Sequence, residues 1–116
     1  NSSMVAKDKI IKNAVEYIKE KIAPDKIFLF GSYAKGTQTE TSDLDFFIIK
    51  ETPLPRFKRA LSLYSTGKSK KIGANIGVDF IIYTPDEYEE QKNDLNSIVG
   101  EVKRTGKLVY DKKRTT

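Results

Sequence analysis

The sequence predicts one small α/β or α+β domain, with a three- or four-stranded sheet and helices packed on it. Three observations carry this. A long stretch near the N-terminus repeats apolar residues at helical spacing. Three short runs rich in β-branched and aromatic residues follow, KIFLF, LDFFIIK and VDFIIY, with helical patterns and polar loops between them. The length, 116 residues, suits a single domain, one that buries roughly two-thirds of its unfolded surface.

The elements follow in order. From Val5 to Ile22, the residues Ile10, Ile11, Ala14, Val15, Ile18 and Ile22 form one apolar stripe among lysines and glutamates, which predicts an amphipathic helix. Ala23-Pro24-Asp25 stops it. Lys26 to Phe30 reads as a buried strand. Ser32 to Lys35 fits a short helical turn ended by Gly36, and Thr37 to Ser42 is polar and loop-like. Leu44 to Lys50 is a second buried strand, broken by TPLP at Thr52 to Pro55. Phe57, Ala60, Leu61 and Tyr64 then recur at helical spacing, so Phe57 and Tyr64, like Tyr17, are read as core aromatics with no ligand role. Gly67 to Gly77 is a basic loop, and Val78 to Tyr83 a third strand. Thr84-Pro85-Asp86 opens a helix with proline and acids in its first turn. Its stripe is Tyr88, Leu95, Ile98, Val99 and Val102, with room for a break along the way. Gly106 ends it, LVYD reads as a short terminal strand, and Lys112-Lys113-Arg114 as a frayed basic tail. The expected organisation is therefore an expression remnant and start at 1–4, a single domain at 5–110, and a basic tail at 111–116.

Composition narrows the chemistry. The chain has no cysteine and no histidine, which removes disulfides, thiolate nucleophiles, Cys/His zinc sites and imidazole bases. Any catalysis must use carboxylates, hydroxyls, lysines or a borrowed metal, and a hard, oxygen-liganded ion such as Mg²⁺ is the natural choice. A net charge of +5 favours anionic partners, although a lysine-rich surface also serves solubility alone. No apolar run approaches the roughly 20 residues of a membrane helix, and no secretory signal pattern is visible. A cytoplasmic location without membrane contact is the expectation.

The carboxylates raise the sharper question. Asp43 and Asp45 stand two residues apart at the start of a strand, so they point to the same face. Two carboxylates side by side repel unless a cation lies between them or one takes a proton. Asp79 is likewise one acid in an otherwise apolar strand. If the strands of Leu44 and Val78 are neighbours, all three converge on one edge of the sheet, as a site for Mg²⁺ that also binds phosphate. The plainer reading makes Asp43 a turn or cap residue with Ser42, and pairs Asp45 and Asp79 with nearby lysines. Three such acids in apolar strands that contain no internal lysine favour the metal site.

Gly31-Ser32, directly after a strand, offers exposed N–H groups and a hydroxyl to a phosphate, and glycine lets the anion come close. Taken alone it is a common turn. Gly67-Lys68-Ser69 imitates the end of a P-loop, but that motif needs a glycine five positions before Gly67, where Ser62 stands. Lys68, Lys70 and Lys71 are read as a solvated loop.

Together, Gly31-Ser32, ten intervening residues, Asp43-Leu44-Asp45 and a later lone Asp79 resemble the pattern of the nucleotidyltransferase superfamily typified by DNA polymerase β. Gly36, Ser42-Asp43 and VDFIIYTPDEYEE resemble its minimal nucleotidyltransferase (MNT) group, over roughly Ile10 to Tyr110. The resemblance implies a polymerase β-like fold with a small mixed sheet. It implies that Gly31, Ser32 and Lys35 hold the triphosphate of ATP, and that Asp43, Asp45 and Asp79 ligate two Mg²⁺ ions. Asp79 would also help deprotonate a hydroxyl that attacks the α-phosphorus. Tyr33 and Lys35 stand where many small members carry arginines, and Lys35 meets phosphate as a point charge, not as a fork. No second domain covers the acceptor, so a partner subunit or a homodimer would complete the site. In the MNT group that partner is commonly an all-helical HEPN toxin, and the MNT chain is an antitoxin that transfers AMP to a tyrosine of it; nucleic acid is not required. A non-catalytic antitoxin that neutralises its partner by contact, and a transferase acting on a small molecule or RNA, stay open as alternatives.

Overall fold

The computed structural model describes residues 2–31, 34, 36, 43–64 and 77–114, with the backbone alone in residues 2–7. Helix α1 (Ser2–Ile22) leads into strand β1 (Lys26–Phe30). Strands β2 (Leu44–Ile49) and β3 (Val78–Tyr83) follow, then helices α2 (Pro85–Gln91) and α3 (Ile98–Thr105) and strand β4 (Lys107–Asp111). The sheet order is β3-β2-β1-β4. β1 runs antiparallel to β2 and β4, while β2 and β3 are parallel.

Two-residue alternation divides the strands between two cores. Ile27, Leu29, Leu44, Phe46, Ile48, Phe80 and Ile82 face α1, where Ala14, Val15, Tyr17 and Ile18 meet them. Phe30, Phe47, Ile49 and Tyr83 face the other way, onto Val99 and Val102 of α3. Phe47 is fully buried, with the Tyr83 ring stacked 5.1 Å away, and truncating such a side chain to alanine costs about 3–5 kcal/mol. The sheet is thus covered on both sides, and the expected sheet with packed helices is present.

Helix α1 ends as its sequence dictates: Ala23 takes a φ of 45°, its N–H donates to Lys19 O at 3.1 Å, and the next residue, Pro24, is buried. Two elements differ from expectation, the segment after TPLP and the start of the tail. The helical spacing after TPLP does not make an α-helix but two 3-10 turns, Arg56–Lys58 and Leu61–Tyr64. Leu63 is the buried anchor there, while Phe57 is 78% and Tyr64 45% exposed; of the three aromatics read as core, only Tyr17 is. A side chain outside the apolar pattern sets this geometry. Arg59, nearly buried, donates from Nε to Leu54 O and from its two terminal nitrogens to the Glu87 carboxylate at 2.6 and 3.1 Å. Glu87 in turn completes a capping box with Thr84 at the start of α2. Helices α2 and α3 are separate, because Ser97 caps a new start through Gly100 N–H; Leu95 lies in the break and is 74% exposed. The tail does not begin by fraying. Residues Lys112–Arg114 form a 3-10 turn, with Lys112 N–H on Asp25 O at 2.9 Å and Lys112 Nζ on Asp25 Oδ1 at 2.8 Å.

Candidate active site

The strand directions bring the chemistry to one end of the sheet. Because β1 is antiparallel to β2, its C-terminal end lies beside the start of β2, and Phe30 pairs with Asp45. Because β3 is parallel to β2, its start arrives there too, and Asp79 pairs with Asp45. Phe30, Asp45 and Asp79 therefore form a row across three adjacent strands, with Gly31 directly after Phe30. Alternation puts Asp43, Asp45 and Asp79 on the face away from α1, continuing the stripe of Phe47, Ile49, Ile81 and Tyr83. Carboxylates replace apolar side chains just where the α3 core gives way to solvent.

The carboxyls crowd one another. Asp45 is half-buried and Asp79 exposed, and the two are hydrogen-bonded. Burial, then the charges of Asp79 and Asp43, then that hydrogen bond push the Asp45 carboxyl above its ordinary range. Asp43 is exposed one pair further out, where Leu44 N–H donates to Gly77 O at 2.9 Å. Among the described residues, no three side chains of the acid, histidine or cysteine type form a ready-made metal cage. The close unit is the Asp45–Asp79 pair, with Asp43 beside it.

Two glycines make room for these acids. Gly31 has a left-handed φ of +76°, and a Cβ there would stand 2.8 Å from Asp45 Oδ2. At Gly77 a Cβ would collide with the Asp43 carboxylate. Both carboxylates thus lie tight against bare backbone. An all-oxygen donor set of this kind, with unrelieved negative charge and open sides, fits a divalent cation such as Mg²⁺.

Of the residues singled out by sequence, Gly31, Asp43, Asp45 and Asp79 are together. Ser32, Lys35 and the Gly67-Lys68-Ser69 stretch lie outside the described residues. Two neighbours were not anticipated. Gly77 carried a weak signal, standing two positions before Asp79 at the mouth of a strand. Tyr64 carried none: its hydroxyl accepts from Phe80 N–H at 2.9 Å, and its ring packs edge-on against Phe80 at 5.2 Å. Burial raises the Tyr64 pKa, the Phe80 N–H lowers it, and the charges of Asp79 and Asp45 add to the rise. A cleft of about 330 Å³ opens at the opposite end of the sheet, lined by Asp25, Lys26, Ile49, Tyr88 and Lys112 among others. It contains none of the three aspartates, so its size is no reason to move the chemistry there.

Known proteins resemble this chain in sequence and fold. The family model described as nucleotidyltransferase domain matches residues 11–113. A candidate protein adenylyltransferase of Methanocaldococcus jannaschii, MJ1379, is 40% identical over 55 residues, 47% of this chain and 55% of that protein. A second from the same organism, MJ0126, is 41% identical over 49 residues, 42% of this chain and 50% of that protein. The matched stretch thus spans about half the length of these curated relatives. Among solved structures, a candidate nucleotidyltransferase from Sulfolobus solfataricus superposes with a TM-score of 0.64 at 18% identity, covering 98% of this chain and 91% of that one. A chain of a toxin-antitoxin structure with AMP-PNP superposes with a TM-score of 0.58 at 21% identity, covering 86% and 72%. At these identities the superpositions speak for the fold.

Proposed function

The chain belongs to the nucleotidyltransferase domain family, and from that premise we propose that it transfers AMP from ATP to a hydroxyl of a partner protein. The observation that carries this reading is the in-register pairing of Asp45 with Asp79, flanked by the left-handed Gly31. Such a row has a donor side and an acceptor side. The turn at Gly31 would take the phosphates, helped by Ser32 and Lys35, because a glycine lets oxygens approach backbone N–H groups. Asp43, Asp45 and Asp79 would hold Mg²⁺, which when bound supplies charge neutralisation at the transferred phosphoryl group. Asp79, on the outer strand, would receive the proton of the attacking hydroxyl, and pyrophosphate would leave on the Gly31 side.

The names of the two curated relatives support a protein as acceptor and AMP as the transferred group. The toxin-antitoxin neighbour supports an antitoxin role; the resemblance to the MNT group adds a helical HEPN toxin as the partner and one of its tyrosines as the target. Among the described residues no helix is long and apolar enough to cross a membrane.

The test mixes the purified chain with Mg-ATP and a co-expressed helical partner and weighs both chains by mass spectrometry. The expected result is a nucleotidyl increment on the partner, lost in Asp43→Asn and Asp45→Asn. A tight complex without any increment, neutralised equally well by those variants, would leave a contact antitoxin in place of an enzyme.

A further inference from the structure

Five large apolar side chains are exposed among the described residues, and four of them, Leu54, Phe57, Leu61 and Tyr64, lie in the segment that follows β2. Single exposed apolar residues are ordinary, whereas a group of them marks an interaction surface. The segment is firmly held. Ala60 and Leu63 pack into the core under α1, Arg59 binds Glu87 and Ile82 O, and Tyr17 Oη donates to Leu63 O at 2.8 Å. Phe57, Leu61 and Tyr64 are therefore presented on a fixed backbone, which lowers the ordering cost of a partner's arrival. The segment also lies at the edge of the sheet farther from Gly31. β3, which carries Asp79, is the edge strand; the Tyr64 ring packs edge-on against Phe80, and Arg59 reaches Ile82 O further along the same strand. The flanks of this face are basic. Between Leu54 and Tyr64 the sequence has three basic residues and no acidic one. Arg56 is more than half exposed, and the Lys58 ammonium stands 5.8 Å from the centre of the Phe57 ring. A second copy would bring the same Arg56 and Lys58 against these, because a two-fold interface pairs a surface with itself, and the like charges would repel. A partner of opposite charge meets no such penalty.

We propose that the face from Leu54 to Tyr64 is the docking surface for the acceptor protein, which meets it with an apolar ridge flanked by carboxylates. The inference rests on the transferase reading and locates the partner which that reading requires. Phe57 would be the main anchor, with Leu61 beside it, since a few well-buried side chains, aromatic ones above all, carry most of the energy of an interface. Arg56 and Lys58 would form a charged rim that speeds encounter and selects an acidic partner. Docking along the β3 edge would bring the acceptor hydroxyl to Asp79 from the side opposite the leaving pyrophosphate.

The test reads the complex and the transfer separately, with the co-expressed helical partner as the probe. Titration calorimetry gives the affinity, initial rates give KM and kcat for the partner, and a thermal shift reports Mg-ATP binding. Phe57→Asp and Leu61→Asp should each weaken the complex about tenfold or more and raise KM for the partner. Both should melt as cooperatively as the parent and keep its kcat at saturating partner and its Mg-ATP shift. Leu95→Asp, at a similarly exposed leucine outside the face, should change none of these. Lys58→Glu should weaken the complex and make it less sensitive to salt. Unchanged affinity in Phe57→Asp and Leu61→Asp overturns the proposal, as does a parent chain that forms no complex. So does a parent chain that sediments as a dimer, dissociated by Phe57→Asp with the partner still bound; the face then belongs to a second copy. A complex weakened by Phe57→Asp but indifferent to Lys58→Glu and to salt overturns the acidic character of the partner. A complex weakened as expected but never labelled keeps the docking surface and overturns the transferase reading instead.

Discussion

Replacing Gly31 by alanine perturbs the backbone and the site through different atoms, and the chain carries its own control for separating them. At a φ of +76°, alanine pays about 1–2 kcal/mol, and a less flexible unfolded chain returns about 0.4–1 kcal/mol. Gly31→Ala should therefore lose about 1 kcal/mol of stability. Gly36 has nearly the same φ, +74°, but nothing lies within 4 Å of its Cβ position, so Gly36→Ala should lose about as much. The two part company in the site. The Cβ at residue 31 meets Asp45 Oδ2 at 2.8 Å, against 3.4 Å for the near limit of ordinary contact, so that oxygen must withdraw by about 0.6 Å. Since a misplacement near 1 Å costs about a hundredfold in rate, Gly31→Ala should slow transfer about ten- to thirtyfold. Gly36→Ala should stay within about threefold of the parent. Urea unfolding gives the stabilities, and initial rates with labelled ATP and a co-expressed partner give the transfer. Equal rates for the two variants would refute the role given to the contact between Gly31 and Asp45.

Asp45 and Asp79 are like charges directly opposite on neighbouring strands, an arrangement that costs about 0.2–1 kcal/mol. A carboxyl whose folded-state pKa is raised binds its proton more tightly when folded, so the fold loses ground as pH rises past the carboxylate range. Asp45→Asn should consequently melt at or above the parent temperature at pH 7 without metal, yet abolish transfer and the thermal shift caused by Mg-ATP. A clear drop in its metal-free melting temperature would count against the crowding. Glu87 works in the opposite direction. The Arg59 guanidinium holds its carboxyl at about 2, against an ordinary 4.5, so its contribution is complete above pH 4.5 and fades as pH falls toward 2. The full difference corresponds to about 3 kcal/mol, and with the Glu87 side chain 26% exposed we expect about 1–2 kcal/mol. Glu87→Gln should lose that much in urea at pH 7 and about a quarter of it at pH 2.5; a loss independent of pH would mean that packing, not charge, holds the pair.

The strands were legible because each is a short continuous apolar run, the pattern of a strand covered on both sides, and β1 and β3 fall on the residues expected. The acids were legible for the complementary reason, as charge where the pattern demanded none. The segment from Arg56 to Tyr64 was misread because its apolar residues happen to repeat at helical spacing, whereas its conformation is set by Arg59 and Glu87, 28 positions apart. No local pattern reports such a pair. The break between α2 and α3, for which the sequence left room, is placed by one serine cap at Ser97. Tyr64 was hidden for a related reason: its hydroxyl meets a backbone group 16 residues away, and only the folded edge of the sheet reveals it.

The register of β2 against β3 has a consequence for quality control. Side chains alternate, so slipping β2 by one residue would turn Asp45 toward Tyr17 and Ile18 and turn Phe46 out to water. A misaligned sheet would have to bury a bare carboxylate among aromatic and aliphatic side chains, a cost of several kcal/mol. The acids that serve the chemistry therefore also proofread the fold, and a chain that has passed that check carries its carboxylates in their working positions.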